Sequence, residues 1–546
     1  MAGLAAGLAL SGCLATGPVH ERFEGPYIAA VEPPAPRETA VYRRTFDGPV
    51  SPDTLTQLSS GGWSIMDLPR LEAYAEGVLD DLLDVWRARH PDAPVPKIRV
   101  FFTSGSHFHA SATKDAEIFV ALGALERMGS EDELAFLLGH EAAHILLRHH
   151  DRQDNFSAFD DALNHATALG ALALAASDME IRRTGDSVSV TQGGDPEVRQ
   201  MATKGLVAYL TLRELTGTVL SPAWSRDQEE YADLLGLDLM VAAGYDPREV
   251  INLFGKRADD QRVRLAELRA DAERRSAEYE AAMNAAFAEE GLAGVMAAGI
   301  DAIASAGLDA VGQMRRDIGA SHPDWEARRD AARLYTLTRH GDAVAADPPT
   351  RTGPYRAALS AQPTASVIAN HRAAHDALVA LEAERIAGAE RLGLQGISWP
   401  TSDAPFPRYA LYMVRKYQGN VASARANLDR IRLDHRAPAV IYTSLASEYL
   451  VVDRPGQALD VLRKGADSFG FREPFLPEFI LAHARNGSMA NAEAAWSECR
   501  QSEDGDLRKR CRQKWREVTA TDEDGQAAGD ASGAPGGFLD SLLPSS

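Results

Sequence analysis

The sequence predicts a mainly α-helical protein in which an α+β domain with a small sheet is followed by an α-solenoid. Apolar residues recur at three- and four-residue steps from Asp67 onward, which is the spacing of an amphipathic helix. Two short runs, Ile98–Phe102 and Ala116–Val120, are rich in β-branched and aromatic residues and predict strands. Beyond residue 350 the pattern is helical without strand signals, which predicts the solenoid.

The composition is that of an ordinary folded chain long enough for several domains. Of its 546 residues, 45% are apolar and 25% are charged, so a fibrous repeat and wholesale disorder are excluded. The 57 basic and 78 acidic residues give a net charge of −21, which repels phosphate backbones. We therefore expect no nucleic-acid partner. Three cysteines are too few for a disulfide scaffold.

The N-terminal residues predict a lipid anchor. An apolar run ends in Leu-Ser-Gly-Cys at Leu10–Cys13, which resembles the lipobox of bacterial lipoproteins, where the cysteine is lipidated. The basic residues that usually precede such a run are missing, and an ordinary N-terminus that happens to contain a cysteine is the alternative. The prediction is a signal segment at 1–13, lipidation of Cys13 and a linker at 14–66. No later run reaches the ~20 apolar residues of a membrane span.

Two helices with strong start signals follow the predicted strands. The first begins at Ser130 with Glu133 three residues later, a capping box, and it is apolar on nearly every face. The second begins at Ser225 with Gln228 in the same relation, and it ends before Gly244, a natural C-cap. The first helix is therefore expected to be buried in the core.

The first of these helices carries His140-Glu141-Ala142-Ala143-His144, an H-E-x-x-H motif. Residues four apart on a helix lie about 40° from the same azimuth and about 6 Å apart along the axis, so both imidazoles can bind one Zn²⁺. Glu141 lies beside the metal position, where it can take a proton from a bound water. The alternative is a pair of core histidines with satisfied hydrogen bonds.

A catalytic zinc usually takes a third protein ligand and keeps one position open. His149 and His150 do not follow at metzincin spacing, so the third ligand must come from elsewhere. On the second helix Glu229 and Asp233 are four residues apart and face one way. The carboxylate of Glu229 can bind zinc, while that of Asp233 can accept the free ring N–H of a ligand histidine.

These motifs together resemble peptidase family M48. The resemblance is carried by the H-E-x-x-H motif, by Arg226-x-x-Glu229-x-x-Ala232-Asp233, and by Ser321-His322-Pro323 with Arg328 six residues after the histidine. It covers about residues 70–340 and implies a zincin-like fold. With the lipobox and the C-terminal repeats, the whole chain is similar to the periplasmic members of that family that carry tetratricopeptide repeats.

The resemblance implies a role for each matched residue. One zinc ion per chain would be held by His140, His144 and Glu229, with Glu141 as the general base. Asp233 would be the hydrogen-bond partner of a ligand histidine.

Two further features concern the cleft around the zinc. The resemblance implies that His322 and Arg328 line the cleft as catalytic residues, and that His322 is a candidate fourth ligand that switches the enzyme off. The second predicted strand is expected to be an edge strand beside the zinc, whose main chain pairs with an extended substrate. A paired interior strand is the alternative. The residues of this predicted substrate-binding strand are Ala116, Glu117, Ile118, Phe119 and Val120.

The C-terminal part of the sequence repeats with a period near that of tetratricopeptide repeats. Ala424, Ala458 and Ala494 occupy the same point of three similar helix–turn–helix units, at steps of 34 and 36 residues. The signature is degenerate, and a generic α-solenoid is the alternative. Cys499 and Cys511 could pair if the chain lies outside the cytoplasm, although their separation alone cannot show it.

These patterns predict the domain organisation beyond the linker. A metallopeptidase domain is expected at 67–345, with a helical insertion at 256–310. Helical repeats are expected at 350–520, and a disordered tail at 521–546.

The sequence predicts a zinc-dependent endopeptidase of the bacterial cell envelope. Its expected substrates are misfolded or misassembled periplasmic and outer-membrane proteins, and the repeats are expected to bind substrates or the outer-membrane β-barrel assembly machinery. The expected location is the periplasmic face of the outer membrane, through the lipid anchor, with a soluble periplasmic form as the alternative. The competing function is a largely latent protease that acts as a chaperone or scaffold in outer-membrane protein assembly.

Overall fold

The protein is described here from a computed structural model. The structure describes residues 23–34, 64–106, 108–150, 179–184, 187–192, 226–260, 262–263, 325–502 and 505–519. The prediction of a mainly α-helical chain with a small sheet is confirmed. Predictions for Cys13, Ser225, His322, the tail at 521–546 and most of the insertion at 256–310 lie outside the described residues.

The first half of the chain holds all five strands of the described residues, together with the helix of the H-E-x-x-H motif and the helix that carries Glu229 and Asp233. Its elements are α1 (Tyr27–Ala30), α2 (Pro69–Arg89), β1 (Arg99–Thr103), β2 (Ala110–Ala112), β3 (Glu117–Ala121), α3 (Leu122–Arg127), α4 (Glu131–Leu146), β4 (Met179–Thr184), β5 (Ser187–Gln192), α5 (Arg226–Ala242) and α6 (248–260).

The second half is helical throughout its described residues. Its elements are α7 (Trp325–Arg339), α8 (Gly341–Ala345), α9 (Thr352–Ser360), α10 (Thr364–Glu382), α11 (Ile386–Gly396), α12 (Pro405–Tyr417), α13 (Val421–Leu428), α14 (Ala439–Val451), α15 (Pro455–Phe469), a 3₁₀ turn (Glu473–Phe475), α16 (Leu476–Arg485), α17 (Met489–Cys499) and α18 (Gly505–Thr519).

The three-stranded sheet has the order β1–β3–β2, with β1 parallel and β2 antiparallel to β3. The strand predicted at Ala116–Val120 is therefore the central strand, and its prediction as an edge strand is wrong. Every residue of Glu117–Ala121 is buried, as expected for a strand that is covered on both faces and paired on both sides. Ala116 precedes the strand in a left-handed conformation, with φ at 59°. The edge strand nearest the H-E-x-x-H helix is β2.

Alternate residues of the sheet pack into two different hydrophobic cores, because successive side chains of a strand point to opposite faces. Val100 and Ile118 belong to the core formed with α2, α4 and α5. Phe101 and Phe119, whose rings stack 5.5 Å apart, belong to the core formed with the C-terminal helices. The small sheet thus joins the two halves of the chain.

Part of the predicted linker is folded against the first core. Tyr27, Ile28 and Val31 are buried there, and the backbone N–H of Ile28 donates to Asp238 of α5 at 2.7 Å. Ile65 forms a bridge with Thr103 at the end of β1. Residues 23–34 and the last residues of the predicted linker are therefore folded onto the rest of the chain.

The C-terminal helices form hairpins with tight turns. Gly419, Asp453 and Gly487 have φ values of 73°, 56° and 75° in the turns of α12–α13, α14–α15 and α16–α17. Their assignment to tetratricopeptide repeats stays a prediction.

One detail of the predicted repeat register is wrong. Ala424 and Ala458 are buried, but Ala494 is exposed, whereas Ala492, two residues earlier, is buried. Ala492 is the fourth residue of α17, as Ala424 and Ala458 are of α13 and α15, so the two steps are both 34 residues. The prediction failed because a shift of two residues turns a helix position by about 200°.

Cys499 of α17 and Cys511 of α18 form a disulfide, and both are buried. In the described part of the chain, no helix combines the length and the apolar character that crossing a membrane requires.

Candidate metal centre

The helices α4 and α5 cross at a pair of glycines, and this crossing builds the site. A Cβ placed on Gly236 of α5 would lie 2.8 Å from the backbone nitrogen of His140, and one on Gly139 of α4 would lie 3.2 Å from the Cα of Gly236. Only glycine allows so close an approach of two helix backbones. The H-E-x-x-H residues and the acidic face of α5 are brought together as a result.

At this crossing His140, His144 and Glu229 converge with donor atoms that lie within 4.8 Å of one another. The Nε2 atoms of the two histidines are 3.2 Å apart. The Glu229 carboxylate lies 3.7 Å from the Nε2 of His140 and 3.8 Å from the Nε2 of His144. Two nitrogens bound about 2.0–2.1 Å from a tetrahedral ion would be roughly 3.4 Å apart. The three side chains, all buried, therefore fit a metal ion, and among the described residues they form the one such group.

Each histidine has a different partner at its other ring nitrogen. The Nδ1 of His140 lies 2.9 Å from the Asp233 carboxylate, as predicted for a residue that fixes a ligand's tautomer. The Nδ1 of His144 lies 2.9 Å from the Nδ1 of His149. A proton on the Nδ1 of each ligand histidine leaves the Nε2 lone pair free to face the metal position.

His149 reaches His144 because the chain turns back at the end of α4. Arg148 adopts a left-handed conformation with φ at 52°, and the backbone N–H of His149 donates to the carbonyl of His144 at 3.0 Å. Gln228 of α5 donates its amide N–H to the carbonyl of His149 at 3.2 Å. The imidazole that sequence spacing excluded as a third ligand thus contacts a ligand instead.

Arg328 of α7 neutralises the acidic face of α5. Its Nε and Nη2 atoms donate to the two oxygens of Asp233 at 2.8 and 2.6 Å, and its Nη1 lies 2.8 Å from Glu229. The guanidinium also lies 4.3 Å from the ring centroid of Trp325 and 5.2 Å from that of Phe254. Arg328, predicted to line the cleft, is therefore buried and bound to two carboxylates. The structure does not describe His322, its predicted companion.

Glu141, the residue after the first histidine of the motif, is buried. Burial raises the pKa of the Glu141 carboxyl, against the opposing effect of His140 and of a hydrogen bond from the backbone of Ala112. The contact to Ala112 places β2 directly beside the residue predicted as the general base. A carboxyl with a raised pKa is better suited to accept a proton and return it.

Charge and burial set the protonation states of the remaining groups. Burial opposes the charged form of His140, but the Asp233 carboxylate outweighs it and raises the pKa of the imidazole. Burial, together with His140 and His149, lowers the pKa of His144 well below its usual value. Asp233 is also buried, yet Arg328 and His140 lower its pKa. His144 is therefore neutral and Asp233 ionised near pH 7, the states that metal binding needs.

Sequence reasoning missed three features near the site. His149 and the edge strand β2 have been described above, and the third is Arg257 of α6, whose charge acts on Glu141. Arg257 lies within the helical insertion predicted at 256–310, which the sequence did not connect with the site. A signal was present in Phe254, one helical turn earlier, because an aromatic at that spacing marks a face of α6 that packs inward.

Comparison with protein families agrees with this geometry. The model of peptidase family M48 matches residues 70–335, so these residues carry a domain of that family. The match implies metallopeptidase activity, and the cluster of His140, His144 and Glu229 could hold the metal ion. None of the curated proteins compared with the chain matches it.

Proposed function

We propose that the protein is a zinc-dependent endopeptidase of the bacterial cell envelope. The observation that carries this proposal is the convergence of His140, His144 and Glu229, with Glu141 one residue along the helix from the first ligand. Two imidazoles and a carboxylate are a usual ligand set for catalytic zinc. When bound, the metal would supply an acidic water and polarise a peptide carbonyl.

Each residue of the site then has a separate role. Glu141 accepts the proton of the attacking water and delivers it to the leaving amine. Asp233 and His149 hold the two imidazoles in the tautomer that exposes Nε2. Arg328 keeps Asp233 ionised and orients Glu229.

The substrate is proposed to pair with β2. The backbone of His109 accepts a hydrogen bond from Ala121, and the N–H of Thr113 donates to Glu117, so both bond inward to β3. Because bonding direction alternates along an antiparallel strand, the N–H and C=O of Ala110 and Ala112 point outward, toward the metal centre. An extended peptide added at this edge would gain main-chain hydrogen bonds with little side-chain selectivity.

Cleavage of an unfolded protein such as casein by the purified chain tests the enzymatic proposal. Glu141→Gln should lower the rate by about 10²- to 10⁴-fold, the usual contribution of a general base, and should keep its zinc. Glu448→Gln is the matched control, because Glu448 is also a buried carboxylate, bonded to Tyr412 and Lys416 far from the metal. Equal cleavage by wild type and Glu141→Gln would contradict the proposal, and absence of cleavage by wild type would favour the latent scaffold.

The location in the envelope is supported by the disulfide between Cys499 and Cys511, since such bonds persist in oxidising compartments. We propose anchoring to the periplasmic face of the outer membrane through Cys13, with envelope proteins as substrates and the β-barrel assembly machinery as a partner of the hairpins. Fractionation of Cys13→Ser should show release from the outer membrane. Retention there would contradict the anchor.

A further inference from the structure

The guanidinium of Arg257 lies between two aromatic rings beside the metal centre. Its central carbon is 5.0 Å from the ring centroid of Phe108 and 4.0 Å from that of Trp325. Phe108 stands two residues before the edge strand β2, and Trp325 begins α7. Stacked aromatic faces hold a planar guanidinium in place while leaving the N–H groups along its rim available.

The surroundings of Arg257 are fixed by contacts that do not involve its own N–H groups. Asp260, three residues later on α6, accepts a hydrogen bond from the backbone N–H of Phe108 at 3.3 Å and pairs with Arg127 at 2.9 Å. Phe254, three residues earlier, packs against Phe136 of α4 with ring centroids 5.3 Å apart. These contacts tie α6 to both the start of β2 and the H-E-x-x-H helix.

The two arginines that flank Trp325 are in opposite situations. Arg328 donates to Asp233 and lies against Glu229, so its hydrogen-bonding capacity is used within the site. Arg257 makes no hydrogen bond or close ion pair with any residue that the structure describes, although it is half-buried. Leaving a partly desolvated cation without an acceptor costs free energy, so this arrangement favours an acceptor that arrives with a ligand.

The charge of Arg257 is retained in this environment and acts on the site. Burial and the nearby Arg328 lower its pKa to about 10, which still leaves it protonated at neutral pH. Trp325, the ring on which it lies, also contacts Arg328, whose Nη1 is 2.8 Å from Glu229, so Arg257 lies beside the metal centre. A ligand group that meets Arg257 would therefore lie close to the bond being cleaved.

We propose that Arg257 is a specificity residue that binds a carboxylate of the substrate next to the scissile bond. The inference rests on the proposed peptidase function. A carboxylate matches the rim of a guanidinium with two parallel hydrogen bonds and cancels its charge, which a neutral carbonyl cannot do. Such a carboxylate has two sources in a peptide, an Asp or Glu side chain or the α-carboxylate at the C-terminus.

Four quenched-fluorescent peptides of one sequence separate these sources. They carry either Glu or Gln beside the cleaved bond, and either a free or an amidated C-terminus. Wild type should cleave the carboxylate peptides about 10- to 100-fold better in kcat/KM than the neutral peptide, the range expected for hydrogen bonds to a charged group. The peptide that keeps this advantage identifies the source.

In Arg257→Gln the ratio of kcat/KM between carboxylate and neutral peptides should fall toward one, and in Arg257→Glu it should invert for a peptide with Lys at that position. Arg257→Lys, which keeps the charge but not the two-pronged geometry, should give an intermediate ratio and guards against misfolding of the other variants. Arg329→Gln is the control, because Arg329 follows Arg328 on α7 and, among the described residues, pairs with Asp330. An unchanged ratio in folded Arg257→Gln would overturn the inference.

Binding without turnover keeps this test separate from that of the peptidase function. Fluorescence anisotropy of the labelled peptides measures their binding to Glu141→Gln and to the double variant that also carries Arg257→Gln. Glu141→Gln should bind the carboxylate peptides more tightly than the neutral peptide. The double variant should bind the carboxylate and neutral peptides equally. If the peptides bind with this preference but are not cleaved by wild type, the peptidase proposal fails and the role of Arg257 stands. If they are cleaved or bound without any preference for a carboxylate, the role of Arg257 fails alone.

Discussion

On the α4–α5 side of the sheet, several charged side chains are buried together around the metal centre, whereas on the side of the helical hairpins the buried charges Glu448 and Arg408 are each bonded to their own neighbours and most core contacts are made by small and aromatic residues. Asp233 and Arg328 are both buried around the metal centre. Across the sheet, Ala446, Ala458 and Gly465 allow the hairpin helices to approach one another. Charge pairing therefore determines the geometry of the first region, and close packing of side chains determines that of the second.

Because of this difference, mutations that impair metal binding can be distinguished from mutations that only lower stability. A change on the metal side should alter metal binding and stability together, since the ligands stand on the same helices that form the core. A change among the hairpins should alter stability and leave metal binding intact, since no ligand is rooted there. The predictions that follow test this separation.

The largest effect is expected at the helix crossing. Gly236→Ala would place a Cβ 2.8 Å from the backbone nitrogen of His140, so α4 and α5 must move apart. Overpacking of this kind costs about 1–3 kcal/mol or more, and a displaced ligand set should weaken zinc retention by at least about 10- to 100-fold. Thermal unfolding and chelator competition measure both effects. Gly77→Ala, on an exposed face of α2 with nothing within 4 Å, is the control and should be neutral or stabilising.

A matched glycine tests the hairpin side. Gly465→Ala on α15 would place a Cβ 2.9 Å from the buried ring of Phe475. We expect a loss of about 1–3 kcal/mol in the free energy of unfolding, measured by urea denaturation, with unchanged zinc content of the folded fraction. A drop in zinc affinity comparable to that of Gly236→Ala would break the comparison.

A third effect depends on pH. His371 on α10 is buried, with its Nδ1 2.9 Å from the carbonyl of Val367, and burial lowers its pKa to about 4. An unfolded histidine titrates near 6.5, so between these values the unfolded chain binds more protons. Stability should be complete above pH 6.5 and fall as the pH drops toward 4, by up to roughly 3 kcal/mol.

His371→Asn keeps a donor near the Nδ1 position but cannot titrate, so its unfolding free energy should depend less on pH in that window. Denaturant unfolding of both proteins at pH 4.5 and pH 7.5 measures the difference. Equal pH dependence in the two proteins would show that other groups are responsible.

Local patterns in the sequence predicted what lies along one helix. Ser130 caps α4, where its side chain accepts the N–H of Glu133 at 3.1 Å, because a capping box depends only on residues three apart. Helical spacing likewise predicts that His140 and His144 share one face of α4 and that Glu229 and Asp233 share one face of α5, whereas the convergence of the two faces depends on the helix crossing. The prediction stopped where the chain folds back on itself.

Features that depend on distant parts of the chain could not be predicted. β3 is central because it pairs with β1 on one side and with β2 on the other. The order of strands in a sheet cannot be predicted from the residues of a single strand. His149 meets His144 only because Arg148 takes a left-handed turn after the helix ends. Arg257 gains its place from Phe108 and Trp325, which lie 149 residues before it and 68 after it in the chain.

The central claim is that α4 and α5 together hold one zinc ion through His140, His144 and Glu229. The most direct test is the zinc content of the purified chain after dialysis against a weak chelator, compared between wild type, Glu229→Gln and Glu230→Gln. Glu230 is the neighbouring residue of α5 and points about 100° away from Glu229. We expect about one zinc per chain in wild type and in Glu230→Gln, and much weaker retention of zinc in Glu229→Gln. Equal zinc in Glu229→Gln and wild type would contradict it.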